Sequence, residues 1–600
     1  MVDSMGLLAF LMVSFVVLMT AYALVGRALQ RMLNLRPDAP VPAHTQRDGL
    51  DYEPARMSYL LPQHFSAIAA AGPIVGPILA AIYFGWGPAW LWILLGSALI
   101  GGIHDFTALV ASVRHRGRSV AEIVRQYMNP RAYVLFLIFV WFALVYVIVA
   151  FTDVTAGTFV AEASREGGTA SGPGVASSSS LYLLLAVAMG LVLRFTNLGP
   201  VKAKAIFLPL VFVAIWAGPH LPLDLRPFVG DRAQQVWGYI LLGYCFLAAL
   251  APVWILLQPR GELGGYFLYI VMILAVGGIV AGSLAGGIPI QQDFFRGWSY
   301  QHPVQGALPL FPILFITVAC GACSGFHSIV ASGTTSKQLD RETDARPVAY
   351  GAMLLEGFFA CVSLATVMIL AGGDLKRGPD WIYAHGIADF GARLVTLTGL
   401  NRAVVFDFLF QFGLLCFATF VFDTLDACTR LARYVLMELF GWTTRAQAVV
   451  ATVVCLVIPV VAVSLPRVEW GGKPMPLWQI FWGIFGSSNQ LLAALTLLAV
   501  TVWLARKGLA WWVALVPTLF MMVMTLWSLA LGAHAYIGLW RSGQTLEIIR
   551  HFQFGITVML IALSVWLVVE ALRTWHAFTR PPGGERLPSD APVVAGPAAD

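Results

Sequence analysis

The chain has 600 residues, of which 59% are hydrophobic and only 11% charged, and apolar runs long enough to cross a bilayer recur from end to end. That excludes a soluble globular protein and defines a polytopic membrane protein. The formal charge of +6 is scattered over short loops and forms no stripe, so composition gives no support to a nucleic-acid partner.

The N-terminus, MVDSMG, lacks the basic segment of a secretory signal. The apolar run behind it continues to about Val25 without a cleavage site, so it is expected to stay as a first helix. About fifteen spans are expected, near residues 5–27, 63–86, 88–112, 132–160, 181–195, 203–218, 236–257, 264–284, 308–331, 347–371, 403–423, 447–465, 477–504, 509–531 and 553–574. Most of the 37 Lys and Arg, including RHRGR at 114–118 and Lys337, Arg341 and Arg346, fall on the cytoplasmic side if the N-terminus is outside. The positive-inside rule therefore favours an external N-terminus and a cytoplasmic C-terminus. The loop at 161–180 reads as flexible and the tail 581–600 as disordered. The segment at about 372–402 fits a helix lying at the interface or capping the outer mouth. The change of character there divides an N-terminal transport core, 1–385, from a C-terminal helical region, 386–580.

Two spans carry residues that a helix built only for lipid does not need. In His64 to Trp86, Gly72-Pro73 and Gly76-Pro77 fall at mid-span, where each proline removes a donor and crowds the preceding turn. In ACGACSGFHSIVASGTT, residues 319–335, three glycines, a histidine and a run of hydroxyls interrupt an apolar stretch. Irregular backbone at membrane depth is tolerated where it is buried in protein or lines a wet cavity, and paired broken spans point to a transporter's substrate site. The bland alternative for Gly321 and Gly325 is a GxxxG packing face. With the N-terminus outside, the two interrupted spans run antiparallel, as an inverted repeat requires, although they are seven helices apart, the second and the ninth. The half-helix amides can bind a carboxylate without a committed arginine. Gly72, Pro73, Gly76, Pro77, Gly321, Ser324, Gly325, His327, Ser332, Thr334 and Thr335 are thus the candidate substrate-binding residues.

Ionisable groups inside spans are functional candidates by default. His104 and Asp105 are read as a cavity-facing pair, against a self-satisfied packing pair. Glu356 is a proton-carrier candidate, since a carboxylate out of water can bind and release a proton near neutral pH; a structural hydrogen bond is the alternative. Asp153 and Asp407 lie nearer span ends and rank lower. Asp423 and Asp426 share one helix face and are followed by Thr429, Arg430 and Arg433, which suits an inner gate of ion pairs or simple interfacial anchoring. Ser487, Ser488, Asn489 and Gln490 either glue helices together or line the path.

The seven cysteines lie in or beside spans, which suits reduced thiols and no disulfide framework. A metal or redox role for Cys320, Cys323 and His327 lacks a second Cys pair. No Walker loop, HExxH or GxSxG occurs, so neither an enzyme nor a cofactor is expected.

The stretches GPIVGPILAAIYFGWGPAWLWILLGSALIGGIHDF, ACGACSGFHSIVASGTTSKQLDRETDARPVAYGAMLLEGFFA, FVFDTLDACTRLARYVLMELF and FGSSNQLLAALTLL resemble, in order, the signature stretches of the carbon starvation protein A (CstA) family. The resemblance implies an inner-membrane secondary transporter related to the amino acid–polyamine–organocation superfamily. It implies a core like that of the leucine transporter with an additional C-terminal five-helix region. Members are associated with uptake of peptides and of pyruvate during nutrient limitation, the pyruvate carriers being proton-coupled. The GPIVGP break, the HDF triplet, the GACSGFHSIVASGTT break and the DTLDACTR turn carry over by position. Residue reading and resemblance together give an all-α transporter for a small carboxylate substrate, peptide or pyruvate, with a proton in preference to sodium as the coupling ion. The rivals are a membrane nutrient sensor and a metal-dependent membrane enzyme.

Overall fold

The computed structural model describes residues 6–48, 52–69, 71–161, 171–252, 254–302, 306–395, 399–465, 469–470, 473–474, 476–542 and 548–578. The tail 581–600 and residues 162–170 of the expected flexible loop lie outside them.

Apolar sequence with few charges yields long helices because every backbone polar group is then paired within its own segment. In chain order these are α1 Leu7–Met32, α2 Met57–Ile68, α3 Gly72–Phe84, α4 Trp86–Arg114, α5 Val120–Tyr127, α6 Pro130–Phe159, α7 Gly172–Phe195, α8 Pro200–Ala217, α9 Ala233–Leu250 and α10 Leu257–Leu284. A short hairpin follows, β1 Ser299–His302 antiparallel to β2 Gly306–Pro309. Then come α11 Leu310–Thr317, α12 Gly325–Gly333, α13 Ala352–Met368, α14 Pro379–Val395, α15 Arg402–Phe440, α16 Arg445–Ser464, α17 Leu477–Arg506, α18 Trp512–Arg541 and α19 Ile548–Phe578.

Among the described residues thirteen helices are long and apolar enough to cross a membrane, fourteen when the bent pair α2 and α3, at 46° to each other, is taken as one span. The ninth expected span, 308–331, is two short helices, α11 and α12, separated by residues 318–324.

Three expectations are corrected. In the first broken segment the bend falls before Gly72, not at both Gly-Pro pairs. Pro73 sits in the first turn of α3, where its missing N–H has no intrahelical partner to lose, and α3 continues through Pro77. The Ser-rich stretch read as loop is the start of α7, with Ser177, Ser178 and Ser179 buried. Ser178 Oγ donates to Ala214 O on α8 and Ser177 Oγ to Leu221 O just beyond it, so these two hydroxyls are satisfied by that packing. Of the two expectations for the segment at about 372–402, a helix lying at the interface is ruled out: α14 is mostly buried against α10, α13 and α15.

Burial separates an inner set of helices from an outer set. The most apolar windows of α4 and α17 are 83% and 89% buried, whereas those of α1 and α19 are 22% and 28% buried. The inner set surrounds the two broken segments. α3 packs on α11 and α13, and α12 packs on α2, α4 and α17.

Candidate functional site

The two breaks are packed against each other. A Cβ added at Gly72 would overlap the Cys320 side chain, and one at Gly321 would lie 2.7 Å from the Ala360 Cβ and 3.6 Å from the Pro73 Cα. Gly76 faces the Thr317 carbonyl across 2.6 Å measured from the same added atom. These glycines are therefore close-approach positions between α3, the 318–324 segment and α13.

Around this contact the helices bring together four side chains from three separate stretches of the sequence. His104 and Asp105 stand on α4 just past a π-helical stretch, Ser97–Gly101; Glu356 stands on α13 just past another, Arg346–Gly351. Such widened turns rotate the following residues off the regular helical register and recur at functional sites. His327 is in the first turn of α12. The Asp105 carboxylate takes His104 Nδ1 at 2.7 Å on Oδ1 and His327 Nδ1 at 2.8 Å on Oδ2. His327 Nε2 lies 3.2 Å from Glu356 Oε2. All four side chains are shielded from solvent.

The geometry constrains the protons. A carboxylate accepts, so both imidazoles carry a proton on Nδ1. His327 Nε2 approaches Glu356 to ion-pair distance, 3.2 Å, without forming a hydrogen bond, which accommodates an imidazolium facing a carboxylate or a neutral imidazole facing a carboxylic acid. His104 Nε2, His327 Nε2 and both carboxylate oxygens of Glu356 are buried and without a hydrogen-bond partner among the described residues. His64 adds a tie between the two broken segments, its Nδ1 lying 2.8 Å from Thr335 Oγ1.

The hydroxyls expected to orient substrate are largely engaged with the protein. Ser332 and Thr334 donate to the carbonyls of Ser328 and Val330, one turn back along their own helix, at 2.7 and 3.0 Å. Ser324 lies against the Asn489 carboxamide, which also accepts from the Phe326 N–H at 3.0 Å. One amide of the α12 N-terminus, expected to face substrate, is thus already taken by α17. His327 directs its nitrogens at Asp105 and Glu356, while Cys320 packs on Gly72 and Asn489, and no group of three or more His, Cys, Asp or Glu among the described residues is arranged to hold a metal ion.

The expected inner cluster forms around a residue that sequence reading missed. Arg260, buried in the first turn of α10, forms an ion pair with Asp423, and its Nη2 donates to Asp426 Oδ1 at 3.0 Å. Its Nη1 donates to Tyr244 OH at 2.6 Å, and that hydroxyl donates to Asp426 Oδ2 at 3.0 Å. Arg430, read as part of the gate, instead donates from Nη2 to the carbonyls of Ala248 and Ala251 at 2.7 Å, closing the C-terminus of α9. Arg260 fell in what was read as a loop between spans; the signal was QPRGELGG, a Pro-Arg pair that opens a helix. Asp153 caps the start of α17 by accepting from the Trp478 N–H at 3.0 Å and takes Gln234 Nε2 at 2.9 Å, a structural role.

At the far end of α12 a cavity of about 460 Å³ is lined by Ser332, Arg118, Glu122, Arg125, Lys337 and Glu438, among others. Its charged wall meets the end of the broken segment.

These helices build a multi-pass membrane protein with a broken helix whose imidazole bridges two buried carboxylates. The chain belongs to the CstA family, described as carbon starvation protein CstA, whose model matches residues 6–377 and 373–528. It is 32% identical to the peptide transporter CstA of Escherichia coli K12, over 88% of this chain and 81% of the relative. It is 31% identical to the pyruvate/proton symporter BtsT of the same strain, over 84% and 78%, and 30% identical to the peptide transporter CstA of Campylobacter jejuni, over 83% and 76%. Among solved structures, MhsT in complex with L-phenylalanine is 13% identical with a TM-score of 0.46, covering 86% of this chain and 98% of that one.

Proposed function

We propose that the protein is a secondary active transporter that imports small carboxylate-bearing nutrients, peptides or pyruvate, across the inner membrane in symport with protons, and that it serves during carbon starvation. The observation that carries this is the buried file His104, Asp105, His327 and Glu356, which ties α4 and α13 to the second half of a broken helix. The names of the relatives support the substrate class and the use of a proton.

In this reading α2 with α3 and α11 with α12 are the two broken helices of a leucine-transporter-like core. The N-terminus is outside and the C-terminus cytoplasmic. A proton entering the contact between His327 and Glu356 neutralises charge that would otherwise be costly to move through a low dielectric. Substrate carboxylate docks where the breaks meet once α3 and the 318–324 segment part. Release follows separation of Arg260 from Asp423 and Asp426, the inner gate, into the charged cavity at the end of α12.

Uptake of labelled pyruvate and a labelled dipeptide into proteoliposomes, with an imposed pH gradient and with or without sodium, tests this. The expected result is accumulation of at least one substrate driven by the pH gradient and insensitive to sodium, lost when Glu356→Gln and Asp105→Asn are combined. Intact proton-driven uptake in that double variant would sink the mechanism. Binding without uptake would make the protein a sensor.

A further inference from the structure

One face of α17 is fitted to the break between α11 and α12. Gly486, Asn489, Gln490 and Ala493 are spaced three, four and seven residues from the first, so they share a side of that helix. At Gly486 the helix touches the Ile316 backbone, near the end of α11; at Gly325, the first residue of α12, a Cβ would overlap the Asn489 carbonyl and the Ala493 N–H. Between these two close approaches lie the side chains that hold the break. Gln490 Nε2 donates to Phe315 O, on α11. Asn489 Oδ1 accepts from Phe326 N at 3.0 Å, on α12, while its Nδ2 reaches Ser324 Oγ at 3.0 Å and Cys320 Sγ at 3.4 Å. One turn on, Thr496 Oγ1 lies 3.1 Å from Ser328 Oγ.

Ser324 occupies the position from which a serine normally caps its own helix, but it makes no such bond. The Asn489 carboxamide does this from another helix. His327 is the next residue after the capped Phe326, so the cap sets where the imidazole stands between Asp105 and Glu356.

We propose that Asn489 and Gln490 form a clasp across the broken helix, one carboxamide on each half, and that Asn489 is a positioning residue for proton coupling, acting through His327. The clasp belongs to α17, beyond the boundary drawn at residue 385, so the C-terminal region is part of the coupling machinery. The coupling part of this proposal rests on the transport reading above; the clasp itself does not.

Two measurements separate them. Hydrogen exchange on purified protein reads the clasp without any activity. Asn489→Ala is expected to speed exchange of the amides of residues 323–328 about tenfold, the loss of a capping hydrogen bond, with α4 unchanged; Asn489→Asp, which keeps the acceptor, restores protection. Gln490→Leu is expected to loosen the end of α11 instead. Unchanged exchange at 323–328 in a folded Asn489→Ala protein overturns the clasp. Proteoliposome uptake reads the coupling. Asn489→Ala is expected to keep substrate exchange at equilibrium and its KM, while losing proton-driven accumulation and the pH dependence of uptake, with partial rescue by Asn489→Asp. Normal proton-driven accumulation in Asn489→Ala, or parallel loss of exchange, KM and thermal stability without rescue, overturns the positioning role. Wild-type protein that shows no proton-driven uptake fails the transport reading and leaves the exchange result standing.

Discussion

Two buried ionic clusters lie close to the broken helices, and they differ in the cation they use. Around Arg260, two carboxylates and a tyrosine hydroxyl converge on a guanidinium, which stays protonated in any folded protein. Around His327, two carboxylates converge on an imidazole, the side chain whose charge changes near neutral pH. A fixed charge suits a contact that is made or broken as a whole, here between α10 and α15. A variable one suits a contact that gains or loses a proton in place. In the proposed mechanism the same ingredients, paired acids and one base beneath apolar packing, serve a latch in one place and a proton site in the other.

The largest effect is expected from removing the fixed cation. Arg260→Met leaves Asp423 and Asp426 buried without their counter-charge, which should cost about 3–5 kcal/mol and show as poor expression or a much lower melting temperature in detergent. A variant as stable as wild type would erase the distinction between the clusters. Next, Glu356→Gln and His327→Gln should fold and exchange substrate at equilibrium yet fail to accumulate it against a gradient. Asp423→Asn, by contrast, should leave the pH profile of accumulation unmoved while changing the rate; a profile displaced as much by Asp423→Asn as by Glu356→Gln would mean that both clusters titrate. Smaller again, Gly72→Ala drives a methyl into Cys320 and should cost about 1–3 kcal/mol, with part of the loss recovered by Cys320→Gly. The smallest effect is expected from Thr335→Val, which removes the partner of His64 and should lower stability by about 1 kcal/mol without affecting coupling.

The residues that bear charge were legible in the chain, because a buried acid or histidine in an apolar run is costly and so stands out. His104, Asp105, His327, Glu356, Asp423 and Asp426 were all recognisable one by one. The neighbours within one helix, His104 with Asp105 and Asp423 with Asp426, were read together; the partnerships between helices were not. The periodicity of a helix shows which residues share its face but not which helix that face meets, so neither the contact of His327 with Glu356 nor that of Arg260 with Asp423 could be read in advance. The hydroxyls show the same limit: sequence picks out Ser332 and Thr334, but not that their O–H groups are given to carbonyls one turn back.

By itself the sequence determined the membrane class, the course of most spans, the presence of two interrupted segments and the family, since these follow from local hydropathy, from glycine and proline chemistry, and from long ordered stretches of similarity. Only the tertiary structure decided that the first segment bends before Gly72, that Arg260 rather than Arg430 completes the inner cluster, and that α17 holds the second break. Each of those is a contact between distant parts of the chain, set by how helices approach one another, and no local pattern encodes it.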